Sequence, residues 1–79
     1  MAYKIEIDLH GQTTDSARRL LTQRLKSLPK DVREIHIIHG FHGGTSLQTL
    51  VRTYKNAKIE RKILGLNQGT TIYIIKEQK

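Results

Sequence analysis

Seventy-nine residues make one small domain, with no room for a second core or a separate cofactor domain. Hydrophobic residues at 37% and charged ones at 27% suit a folded chain and are too apolar for a disordered one, and the absence of cysteine excludes a disulfide scaffold, a thiolate zinc site and a thiol enzyme. Fourteen Lys and Arg against seven Asp and Glu leave a formal charge of +7, which attracts polyanions, nucleic acid foremost. Aromatic residues at 5% leave little for stacking unpaired bases. No apolar run approaches the ~18 residues of a membrane span, and no signal-like segment opens the chain. A cytoplasmic protein without membrane contact is the expectation.

Tyr3 to His10 alternates, with Ile5, Ile7 and Leu9 on one side and Lys4, Glu6, Asp8 and His10 on the other. This predicts a half-buried strand ended by Gly11. Thr13 or Thr14 can cap the helix that follows, and Asp15 suits its first turn. Ala17, Leu20, Leu21, Leu25 and Leu28 then recur at helical spacing until Pro29 stops the run. Arg24 falls within that apolar stripe, either snorkelling out along its stem or reaching the sheet edge as a functional group.

Val32 to His39 reads as a second strand, followed by the glycine-rich loop Gly40-Phe41-His42-Gly43-Gly44. Thr45 or Ser46 caps a second helix whose inner face is Leu47, Leu50, Val51 and Tyr54, with Arg52 and Lys55 outside or on the flank. Lys58 to Leu64 alternates again, setting Ile59, Arg61 and Ile63 opposite Lys58, Glu60 and Lys62. Asn67-Gln68-Gly69 is a turn, and Thr70 to Ile75 is a β-branched last strand.

Two strand–helix–strand units require parallel strands joined by right-handed crossovers, which set both helices on one face when the chain keeps moving the same way. The expected fold is a two-layer α/β sandwich with the other sheet face open. The first and third strands, apolar on one side and charged on the other, agree, since a fully wrapped sheet would show continuous apolar runs.

In open parallel sheets, ligands bind beyond the carboxyl ends of the strands. Asp8 and His10 stand at the end of the first strand, and His39 at the end of the second, just before the loop. If those strands are neighbours, Asp8, His10, His39 and His42 gather at one edge. Asp8 either accepts backbone bonds there or does chemistry; His10, before Gly11, is either a turn residue or an acid–base. His36 reads as structural on the open face. His39-x-x-His42 gives no firm ligand geometry, so no metal site is assigned. Gly43 and Gly44 either make a tight connection or let a phosphate approach unpaired backbone N–H groups at the helix start. Phe41 either packs or stacks on a base.

These pieces together resemble the Smr (small MutS-related) domain family. IDLHG at Ile7 to Gly11, IIHGFHGGTSL at Ile37 to Leu47 and NQGTTIYII at Asn67 to Ile75 carry the resemblance, over nearly the whole chain. It implies a fold like the C-terminal domain of a bacterial translation initiation factor: β-α-β-α-β-β, strand order 1-2-4-3, a mixed sheet with the last strand antiparallel. It also implies nucleic-acid binding and, in several members, cleavage of RNA or nicking of DNA. By position, Asp8 and His10 match the family's D-x-H element, and His39 and Gly40 its His-Gly element. The family usually reads His-Gly-x-Gly-x-Gly-x-Leu-Arg; here the loop spacing differs, and Gln48 stands where arginine is expected, a place Arg52 one turn on could take.

The reading of the whole chain, 1–79, is thus a single nucleic-acid-binding domain of Smr type. One form is an endonuclease with Asp8, His10 and His39 as catalytic groups and Gly40, Phe41, His42, Gly43, Gly44 and Arg52 as nucleic-acid contacts. RNA would supply its 2′-hydroxyl as nucleophile and need no cofactor; DNA would need activated water and a Mg²⁺ ion held through Asp8. The alternative is a non-catalytic module for structured RNA or branched DNA. In either form the first helix offers Arg18, Arg19, Lys26 and Lys30 as candidate phosphate contacts. Oligomeric state is not encoded in any of these features.

Overall fold

A computed structural model of the chain describes residues 3–40, 46–65 and 69–77. Alternating patterns and turn chemistry produce β1 (Lys4–Asp8), α1 (Thr14–Lys26), β2 (Glu34–Ile38), α2 (Ser46–Thr53), β3 (Ile59–Leu64) and β4 (Thr70–Ile75), in that order. The strands form one sheet of order β1-β2-β4-β3. β1 and β2 are parallel, and β4 runs antiparallel to both of its neighbours. The architecture is the expected β-α-β-α-β-β sandwich. No helix among the described residues is long and apolar enough to cross a membrane.

Thr13 is the N-cap of α1, its hydroxyl accepting from the Ser16 N–H at 3.1 Å. Ala17, Leu21 and Leu25 face inward with Leu28 just beyond, and Leu50 and Val51 do the same from α2. They close over Ile7, Leu9, Ile35, Ile37, Tyr73 and Ile75 in a single core. Arg24 stays exposed in the last turn of α1, where its charge suits the helix dipole. Tyr54 bridges the helices through a 2.8 Å bond between its hydroxyl and Thr22 Oγ1, and its ring stacks parallel to Tyr73 at 6.5 Å. The Tyr73 hydroxyl donates to Val51 O at 2.6 Å, and burial raises its pKa.

The third strand departs from simple alternation. A bulge between Ile59 and Arg61 shifts the register, so that Ile59 pairs with Ile75 whereas Arg61 pairs with Ile74. The extra residue flips the face of everything after it. Ile59 therefore packs against the core, while Ile63 lies on the open face at 41% exposure and Lys62 turns toward the helices. The expectation of one apolar side along β3 is corrected accordingly.

The flip gives Lys62 a task. Its ammonium donates to Arg52 O at 2.7 Å and to Tyr54 O, at the carbonyl end of α2, and lies 5.5 Å from the Tyr73 ring centre. Lys58 likewise donates to Leu25 O at 2.5 Å, at the end of α1. Both lysines satisfy carbonyls that a helix end leaves unpaired. Replacing Lys62 by methionine, which keeps the stem and removes the donor, is expected to cost about 1 kcal/mol of unfolding free energy. A urea titration with an unchanged midpoint would contradict that role.

Candidate functional site

β1 and β2 pair in register, Asp8 beside Ile38, and the ladder continues through Leu9 N–H donating to Ile38 O at 2.7 Å. The carboxyl ends of both strands therefore lie side by side. Gly11 (φ +80°) turns the chain back after β1, and Gly40 (φ +72°) turns it after β2. A Cβ on Gly40 would stand 3.8 Å from His10 Cβ, so this backbone lies against the base of the His10 side chain.

At that edge Asp8 and His10 form a pair. Asp8 Oδ1 accepts from the His10 backbone N–H at 3.0 Å and lies 2.8 Å from His10 Nδ1. Both side chains are exposed, at 54% and 71%. The hydrogen bonds from His10, side chain first and backbone second, hold the Asp8 carboxyl below the usual carboxylate range. An ionised Asp8 can only accept, so Nδ1 carries a proton and Nε2 is the ring nitrogen left to face outward. Among the described residues, Nε2 has no hydrogen-bond partner.

His39 stands apart from that pair. It is only 4% exposed and both ring nitrogens are engaged, Nδ1 with Gly40 O at 2.8 Å and Nε2 with Thr71 Oγ1 at 2.9 Å. A carbonyl only accepts, so Nδ1–H donates to it and Nε2 accepts from the Thr71 hydroxyl. The cause is register. Asp8 shares its face with Ile38, and the next residue, His39, alternates onto the helix side with Ile35 and Ile37. The expected gathering of three catalytic side chains at one rim is thus a gathering of two, with the third imidazole buried behind Gly40.

Sequence reasoning missed Thr71, although a signal exists: it is the small polar residue among inward positions of β4 otherwise filled by Tyr73 and Ile75. The backbone adds a further tie, since the N–H groups of His39 and Gly40 both donate to Gly69 O, at 2.8 and 3.0 Å. Gly40 is held at both its N–H and its carbonyl in a left-handed conformation. Alanine there would meet no steric block from His10 but would strain the backbone by about 1–2 kcal/mol. Equilibrium denaturation of Gly40→Ala checks this, and an unaltered midpoint would contradict it.

The remaining expected contacts are more dispersed. Phe41, His42, Gly43 and Gly44 lie outside the described residues. Arg52 is exposed in the last turn of α2, six residues past Ser46 and about 9 Å along the axis from the helix start. It is thus set at the opposite helix end from the loop. Gln48, in the first turn, is half-buried. His36 sits on the open sheet face beside Glu34, its Nε2 2.9 Å from Oε1. No group of three or more potential metal ligands occurs among the described residues.

The comparisons agree with this geometry. The Smr domain model matches residues 7–71. The crystal structure of the Smr domain of Thermus thermophilus MutS2 is similar with a TM-score of 0.80 at 20% identity, covering 90% of this chain and 96% of that one. No curated protein matches the sequence. The match from Ile7 to Thr71 takes in the D-x-H and His-Gly elements, and the chain belongs to the Smr domain family of nucleic-acid-binding, nuclease-type modules.

Proposed function

We propose that this domain binds nucleic acid and cleaves phosphodiester bonds, with His10 as the base and Asp8 as the group that orients it. The supporting observation is the solvent-facing imidazole whose Nδ1 is committed to a carboxylate 2.8 Å away, beside the Gly40 backbone at the strand ends. An oriented neutral imidazole is the group that proton abstraction near pH 7 requires. RNA is the substrate this pair serves with the fewest additional groups. Nε2 takes the proton of the 2′-hydroxyl, O2′ attacks phosphorus, and the P–O5′ bond breaks to leave a 2′,3′-cyclic phosphate. The departing O5′ takes a proton from water or from His42, three residues past His39. On DNA the same base must activate water. Asp8 Oδ2, the carboxylate oxygen that His10 leaves open, could then hold Mg²⁺ only together with substrate phosphate oxygens.

His39 serves this reading as a positioning residue, because its two bonds fix Gly40 beside His10. Phe41, Gly43, Gly44 and Arg52 keep the part of nucleic-acid contacts. A second reading, a module that binds without cutting, is favoured by the burial of His39 and by Gln48 in place of the family's arginine. Labelled RNA, single-stranded DNA and supercoiled plasmid, incubated with Mg²⁺ and with EDTA, separate the two. RNA cut in both conditions is the expected result; shifted but intact nucleic acid in every lane would establish the binding module instead.

A further inference from the structure

The cations of this domain divide into those bonded within the fold and those left to solvent. Lys58 and Lys62 hold helix carbonyls, and Arg33 Nε donates to Ile75 O at 3.3 Å. Helix α1 and the turn after it, by contrast, present Arg18, Arg19, Arg24, Lys26 and Lys30, all exposed. Among the described residues only Arg18 of these has a carboxylate partner, Asp15 at 3.5 Å. The open sheet face has the opposite balance: Lys4 and Arg61 against Glu6, Asp8 and Glu34, around half-buried Ile38, Ile72 and Ile74. The largest group of exposed cations is therefore on α1 and the turn after it, with Arg52 and Lys55 a smaller pair at and just past the end of α2.

We propose that the outer face of α1 is the docking surface for the phosphate backbone of a double-helical segment, which it leads to the Asp8–His10 pair. The inference rests on the nucleic-acid reading above and adds where the partner lies and in what form. Thr14 opens the helix four residues after His10, and the cations of α1 run from Arg18 to Lys26, about 12 Å along the axis, starting about 6 Å from the helix end nearest the pair. Arg19 and Lys26, seven residues apart, share one face of α1 about 10 Å apart along its axis. Cations fixed on a rigid helix match the stiff, regularly spaced phosphates of a duplex. A single strand would call for aromatic platforms. Among the described residues, Tyr54 and Tyr73 are stacked on each other, and Tyr3 stands at the far end of β1 from Asp8.

The test compares Arg19→Gln/Lys26→Gln with Lys4→Gln/Arg61→Gln, two variants that each lose two positive charges from exposed positions on different faces. Each is titrated, beside the wild type, against a hairpin RNA and an oligouridylate of equal length over a range of salt. The wild type is expected to bind the hairpin more tightly. The α1 variant should lose affinity for it several-fold and flatten the slope of log K against log salt by about 2, close to one unit per phosphate contact. The sheet-face variant should track the wild type. Equal slopes for the two variants, no change in the α1 variant, or equal wild-type affinity for both RNAs would overturn the docking face while leaving nucleic-acid binding intact. A wild type that binds neither RNA would overturn both.

Discussion

Alanine in place of His10 is expected to lower cleavage by about 10²–10⁴-fold while affinity for nucleic acid changes little, because the residue supplies a proton acceptor rather than a phosphate anchor. Asp8→Ala should come close to the same loss by a different route. Without the carboxylate 2.8 Å away, nothing fixes the ring's orientation or keeps the proton on Nδ1. The pH dependence has a definite sign. The bonds from His10 hold the Asp8 carboxyl below the usual range, so the pairing is present above the unfolded carboxylate pKa and lost only as pH falls through the lower folded value. Undiminished cleavage by His10→Ala would contradict His10 as base, and affinity collapsing together with activity would make the pair a binding or folding element.

Thr71→Val should carry the larger cost to stability. Valine keeps the shape and removes the hydroxyl that donates to His39 Nε2, leaving a buried acceptor unpaired at about 1–3 kcal/mol. A domain of this size holds roughly 4–12 kcal/mol in all, and each kcal/mol is worth about 4–8 °C of Tm. The effect reaches the site as well. The Gly40 carbonyl fixes the Nδ1–H tautomer, the Thr71 hydroxyl holds the other edge of the ring, and Gly40 stands beside His10. Nitrogen-15 NMR of the imidazoles should therefore show His39 as the Nδ1–H tautomer in the wild type and in Thr71→Ser, and a shifted Nε2 resonance in Thr71→Val, where its hydrogen bond is lost. A wild-type Nε2–H tautomer, or a valine variant with the parent's Tm, would contradict the arrangement.

Much of the fold was legible because one residue pattern decides each element. The alternation Ile5, Ile7, Leu9 marks a strand with one buried face, and Ala17, Leu21, Leu25 mark a helix that can cover it; these positions are the core. β3 was legible in extent but not in facing. A bulge leaves no mark in the period-two pattern, and it took the partner strand β4 to show that Ile59 and Ile63 lie on different sides. The site followed the same division. Asp8 and His10 are two apart on one strand, so their closeness is a local property that spacing reveals. Whether His39 joins them depends on the register between β1 and β2, which is a tertiary quantity. With Asp8 beside Ile38, alternation places His39 on the far face, and a hydroxyl thirty-two residues later completes its bonding. Sequence spacing carries no direct information on such a partner.

The exposed Asp8–His10 pair is the centre of the proposed chemistry. Wild type and Asp8→Ala, purified side by side, can be incubated with labelled hairpin RNA in EDTA and resolved on a denaturing gel. Cleavage by the wild type, with cyclic-phosphate ends and at least a hundredfold slower in the variant, is the predicted result. Equal cleavage by both proteins, or none by either on RNA that both demonstrably bind, would contradict it.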